Sequence, residues 1–153
     1  LTRQGLPDLG ELTRTRGLEG VARGGDILHG DQGTSADILM CATGSEVSTA
    51  MEVTRKLELS GLSVRVVSMP CWEFFDSQDE SYRRSVLGGD FTLCVAIEAG
   101  IEMGWHKYTG RDGLIISMSG YGASAPEPDL REEFGFTAER IIKKIKSRLP
   151  API

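Results

Sequence analysis

"ADILMCATGSEVSTAMEV", residues 36–53, decides the fold of this chain. The run "ADILMCAT" is apolar almost throughout and of strand length, the mark of a strand buried on both faces. From Glu46 the spacing changes. Val47, Ala50, Met51 and Leu57 recur at helical intervals, and Gly61 supplies the stop. "LSVRVVSMP" (62–70) returns to a strand and is ended by Pro70. Strand, helix and strand make a βαβ unit with two parallel strands. The junction "ATGSEV" (42–47) poses a choice. Backbone N–H groups at a helix N-terminus can hold an anion. Yet the junction lacks the G-x-G-x-x-G of a dinucleotide fold and the Lys of a P-loop. Glu46 would repel a phosphate there, and Thr43 with Glu46 has capping-box spacing. The junction reads as structural.

Outward from this unit the alternation continues. Upstream, "GGDILHGD" (24–31) reads as a short strand, followed by the turn "GDQGTS" (30–35). Residues 1–24 have weak periodicity and read as a connecting segment laid over the surface. Downstream, Ser77 and Glu80 stand at capping-box spacing before a short helix that runs towards Leu87. "FTLCVAIEAG" (91–100) and "GLIISMSG" (113–120) read as further buried strands, and "EPDLREEFG" (127–135) as a short helix. Thr137 opens a last helix whose Ile141, Ile142, Ile145 and Leu149 share a face. The expectation is one α/β domain with a core over 25–149 and a mostly parallel sheet between helical layers.

Bulk properties narrow the function. The chain has 153 residues, 40% hydrophobic and 25% charged, ordinary values for a globular domain with a substantial core. A formal net charge of −5 argues against a nucleic-acid binder. No apolar run reaches the length of a membrane span, and the N-terminus has no secretory h-region. Cys41, Cys71 and Cys94 form no C-x-x-C pair and read as apolar filler in a reducing compartment. The two histidines, His29 and His106, have no metal-ligand partner at sequence spacing. The basic "KKIKSR" (143–148) is expected on the solvated face of the last helix. The chain opens on Leu1 rather than Met, as a piece of a longer polypeptide would.

Few side chains invite a chemical role. "GWHKY" (104–108) follows a strand, where open α/β sheets gather ligands, but Trp and Tyr serve packing and interfaces as readily. Glu98 is a single strand-end carboxylate. Arg3 can hold a phosphate bidentately, although an isolated Arg is as often simply solvated.

"LTRQGLP" (1–7), "ATGSEVSTAMEV" (42–53), "VRVVSMPCWEFFDSQDESYRRSVL" (64–87), "EAGIEMGWHKYTG" (98–110), "GYGASAP" (120–126) and "EFGFTAERI" (133–141) occur in this order. Together they resemble the C-terminal domain of transketolases. The resemblance implies a three-layer α/β/α sandwich whose mixed, mostly parallel five-stranded sheet has one antiparallel strand. That strand is either the early "GGDILHG" segment or the last one. It also implies transfer of a two-carbon ketol unit from a ketose phosphate to an aldose phosphate in the pentose phosphate and Calvin pathways. Thiamine diphosphate and Mg²⁺ would serve the whole enzyme, a cytoplasmic or plastid homodimer, and would be held by its N-terminal and middle domains.

Of the family's functional residues only Arg3 carries over, as the ligand of the substrate phosphate. No catalytic, cofactor-binding or metal-binding residue is implied in this chain, so the domain alone should be inactive. Three other readings compete: a free-standing small-anion binding module, a dimerisation module, or the equivalent domain of another thiamine diphosphate enzyme. The "MPCWEFFDSQ" block (69–78) argues against the last of these.

Overall fold

The computed structural model describes residues 17–150. A five-stranded sheet has β1 (Asp26–His29), β2 (Ala36–Ala42), β3 (Val64–Ser68), β4 (Phe91–Ile97) and β5 (Leu114–Ile116) in the order β1-β3-β2-β4-β5. The last four strands run parallel, and β1 joins the edge antiparallel to β3. The early segment is therefore the antiparallel strand. Between and around the strands lie α1 (Gly17–Ala22), α2 (Glu46–Glu58), α3 (Trp72–Asp76), α4 (Glu80–Leu87), α5 (His106–Thr109), α6 (Glu127–Glu133) and α7 (Ala138–Arg148).

The continuous apolar run of β2 is explained by two cores. Ile38, Met40 and Ala42 face one side, where α2 and α7 pack with Val47, Leu57, Ile141 and Ile145. Leu39 and Cys41 face the other side, towards Phe75, Val86, Trp105 and Tyr108 from α3, α4 and the α5 region. Helical layers on both faces make this the expected sandwich. α2 ends as its sequence foretold: Gly61 takes φ 85°, and the Leu62 N–H reaches back to Leu57 O at 3.2 Å.

Three local readings need correction. Neither proposed capping box forms. Glu46 accepts from Ser45 Oγ at 2.8 Å rather than reaching back to Thr43. The cap of α4 is Asp79, not Ser77, and its carboxylate accepts from the Tyr82 N–H at 2.8 Å. Thr137 does precede α7, but its hydroxyl donates to Glu132 Oε2 instead of capping. Within the stretch of weak periodicity before residue 24 lies α1, whose "GLEGVA" is too short and Gly-rich to show a repeat.

Arg65, inside the apolar run of β3, is 1% exposed and meets no carboxylate at salt-bridge distance among the described residues. Its guanidinium donates to Gly88 O at 2.6 Å, to Val86 O at 3.4 Å and to Thr34 O, and lies over the Phe91 ring at 5.0 Å. It fastens the β1–β2 loop to the turn after α4.

Candidate functional site

The chain leaves β2 outward to β3 and then crosses to β4, so the strand order reverses between β2 and β4. In open α/β sheets the crevice beyond the carboxyl ends of such a strand pair is the usual ligand position. Here it is built from Thr43 to Glu46 on one side and Glu98 to Gly100 on the other, held level by the register Ala42↔Ile97.

This crevice does not form an anion cradle. The N–H of Glu46 donates to Thr43 O at 3.2 Å and that of Val47 to Gly44 O at 3.4 Å, so two of the first-turn donors are engaged within the turn. Two carboxylates then set its sign. Glu98 is half-buried, and its carboxyl is pushed above the usual range by burial first and by the charge of Glu46 second. The Gly100 N–H and the Trp105 indole pull it partly back. Trp105 Nε1 itself is buried and has no hydrogen-bond partner of good geometry. A phosphate, diphosphate or nucleotide would meet the Glu46 and Glu98 carboxyls here, which counts against the small-anion module reading.

Beside the crevice a cavity of about 380 Å³ is lined by Glu46, Thr49, Ala99, Met118, Leu130 and Arg131, among others. Its one cation among the described residues is already engaged. Arg131 Nη2 donates to Thr49 Oγ1 at 2.8 Å and to Phe136 O at 3.4 Å, and Nη1 stands 3.6 Å from Glu127. The guanidinium thus ties α6 to α2.

"GWHKY" proves to be one half of an aromatic cluster. Trp105 is fully buried with its ring edge-on to Trp72 at 4.9 Å, and Tyr108 packs on Trp72 at 5.3 Å. Asp76 anchors the group by accepting from Lys107 Nζ at 2.6 Å and from Tyr108 Oη at 3.2 Å. Burial, then Asp76, pushes the Tyr108 phenol well above its ordinary range. His106 is exposed, its Nδ1 3.4 Å from Gly110 O, and forms no ion pair with a carboxylate among the described residues. The sequence blocks around Trp72 and Trp105 are therefore coupled by packing.

The cysteines are free. Burial raises the Cys41 thiol to about 12 and raises Cys94 too, so neither supplies a thiolate. Among the described residues no three His, Cys, Asp or Glu side chains gather as a metal site, and no helix is long and apolar enough to cross a membrane. Together with the acidic crevice, these residues do not fit thiamine diphosphate or its metal. Arg3 lies outside the described residues. Sequence reasoning missed Asp76, Arg131 and the pairing of Glu98 with Glu46. Only Arg65 had left a signal, as a lone charge within an apolar strand.

The sequence matches the family profile described as "Transketolase-like TK C-terminal domain" over residues 24–137. It is 47% identical over 144 residues to "Transketolase 2" of Escherichia coli K12, covering 94% of this chain and 21% of that protein. It is 45% identical over 147 residues to a Staphylococcus aureus transketolase, covering 96% of this chain and 22% of that one. Among solved structures, a variant transketolase from Pichia stipitis superposes with a TM-score of 0.83 at 34% identity, over 96% of this chain and 20% of that one. The same yeast enzyme in complex with sedoheptulose 7-phosphate gives 0.76 at 34% identity, over 85% and 18%. The chain thus spans about a fifth of the length of the curated relatives it matches.

Proposed function

This chain belongs to the transketolase C-terminal domain family, and from that premise we propose that it serves as the C-terminal domain of a transketolase. The whole enzyme moves a two-carbon ketol unit between sugar phosphates. The observation that carries this reading is the family match over 24–137 together with relatives, named transketolase, that are 45% and 47% identical over nearly all of this chain. The sedoheptulose 7-phosphate held by the Pichia enzyme supports sugar phosphates as the substrates here too.

In this reading residues 1–24 connect to the preceding domains and 25–149 form the α/β core. Thiamine diphosphate, which supplies the carbanion chemistry when bound, and its divalent metal are held by those other domains. The enzyme is a cytoplasmic homodimer, and this domain buttresses it. Arg3 presents its guanidinium to the phosphate of the sugar. Its charge-assisted hydrogen bonds contribute about 1.5–3 kcal/mol, so Arg3→Ala in the full-length enzyme raises KM for phosphorylated sugars about ten- to a hundred-fold. Unphosphorylated donors are unaffected. Steady-state kinetics on both substrate types is the test, and equal losses on both would remove the phosphate role.

A further inference from the structure

Six large apolar side chains stand exposed among the described residues, and five gather at one end of the molecule. Ile101 and Met103, 60% and 74% exposed, follow β4; Phe74 follows β3; Tyr121, fully exposed, follows β5. Val21, in α1, joins them because the start of β1 lies beside the end of β3, with Asp26 in register with Ser68. The segments that carry the five are tied together. Gly24 accepts from the Cys71 N–H at 3.2 Å, and a Cβ on Gly24 would fall 2.9 Å from that of Phe74. Gly104 abuts the Trp72 ring, and the Met118 N–H donates to Gly100 O at 2.8 Å, joining the loops after β4 and β5. Only Leu59 stands at the opposite end.

The rim of this face is acidic. Glu46, Glu73, Glu98 and Glu102 lie in the loops and helix starts at this end, against Arg23 beside Val21, and none of the four forms an ion pair with a cation among the described residues. A two-fold pairing of identical copies would set the same patch against itself and bring these like charges together. That argues against a second copy as the occupant. The chain also spans only about a fifth of its relatives' length, so most of such an enzyme lies outside it.

We infer that this strand-carboxyl end is where the preceding domains of the same enzyme dock, through an apolar surface flanked by Lys and Arg. The inference rests on the proposed function above. It assigns to the acidic crevice a role in seating a neighbouring domain rather than a small ligand.

Hydroxyl-radical footprinting of the full-length enzyme tests it, with Leu59 as the exposed reference. After correction for intrinsic reactivity, Met103 and Tyr121 should be labelled about ten-fold more slowly than Leu59, as in a dry interface core. This protection should persist on dilution to the monomer. Glu102→Lys, which sets like charge against a basic surface, should raise labelling of Met103 several-fold, and Glu102→Gln less. Labelling of Met103 and Tyr121 at the Leu59 rate overturns the inference. Protection lost in step with dimer dissociation overturns it in favour of a second copy. Unchanged or slower labelling in Glu102→Lys overturns the basic partner surface. Ketol transfer measured on the same samples separates the two readings. A protected rim in a protein without that activity removes the function and leaves the docking; an exposed rim in an active enzyme does the reverse.

Discussion

Replacing Arg65 by Met tests whether a buried cation held by backbone carbonyls can hold a fold together. Met keeps the stem that packs beside Phe91 and removes the guanidinium. Two hydrogen bonds are then lost outright, to Gly88 O at 2.6 Å and to Thr34 O, with a weaker one to Val86 O at 3.4 Å. Charge-assisted bonds contribute about 1.5–3 kcal/mol each, so the two strong ones amount to roughly 3–6 kcal/mol. Against this stands the cost of burying the cation: Arg65 is 1% exposed and its Nε has no partner. Relief of that burial returns on the order of 1–2 kcal/mol. The net expectation is a loss of about 2–4 kcal/mol.

Urea denaturation followed by Trp fluorescence measures it, with an unchanged m-value as the sign that only stability moved. Hydrogen exchange should accelerate first at the loops carrying Thr34 and Gly88, because those carbonyls lose their shared donor. A loss under about 1 kcal/mol, or a gain, would show that desolvation outweighs the three carbonyls.

Two further substitutions probe the strand-carboxyl end. Because burial and Glu46 raise the Glu98 carboxyl, the folded state keeps a proton that the unfolded chain has lost, and stability falls as pH rises from about 4.5 through the raised folded value. Glu98→Gln should therefore match the parent below pH 4.5 and exceed it near neutrality; a difference between the two that stays flat across pH refutes the raised carboxyl. Gly104 has φ 92°, and a Cβ there would lie 2.5 Å from the Trp72 ring, so Gly104→Ala should cost about 2–4 kcal/mol in chemical denaturation. Gly33→Ala, at φ 71° with open space around it, should cost only about 1–2 kcal/mol, and equal losses at the two positions would deny the Trp72 contact.

The parts of the fold legible in sequence were those that depend on periodicity alone. A run of apolar residues from Ile38 to Ala42 can serve two cores at once only as an inner strand, and it does. Local hydrogen-bond choices were less legible. Where polar residues stand side by side, as in "SQD" (77–79), spacing cannot say which one caps, and Asp79 won because its carboxylate reaches the Tyr82 N–H. The candidate site was least legible of all. Glu46 and Glu98 meet because β2 and β4 pair in register, and Asp76 meets Tyr108 because α3 and α5 share a face of the sheet. Such meetings are decided by sheet order, which "GSEV" and "IEAG" do not contain.

At the strand-carboxyl end an architecture associated with ligand binding carries charges unsuited to an anion. Binding an anion at such a crevice requires free first-turn N–H groups and positive or neutral surroundings. Here Thr43 O and Gly44 O take two of the donors, and Glu46 and Glu98 reverse the sign of the crevice. Neither change disturbs the cores, since β2 remains buried on both faces and α2 still ends at Gly61. Once the crevice repels phosphates, the apolar side chains at its rim have no small ligand to enclose. Tyr121 between two glycines, and Met103 beside a glycine pressed on Trp72, are then best accounted for by a neighbouring domain. Glu46 and Glu98 thus set the charge of the crevice without entering either core.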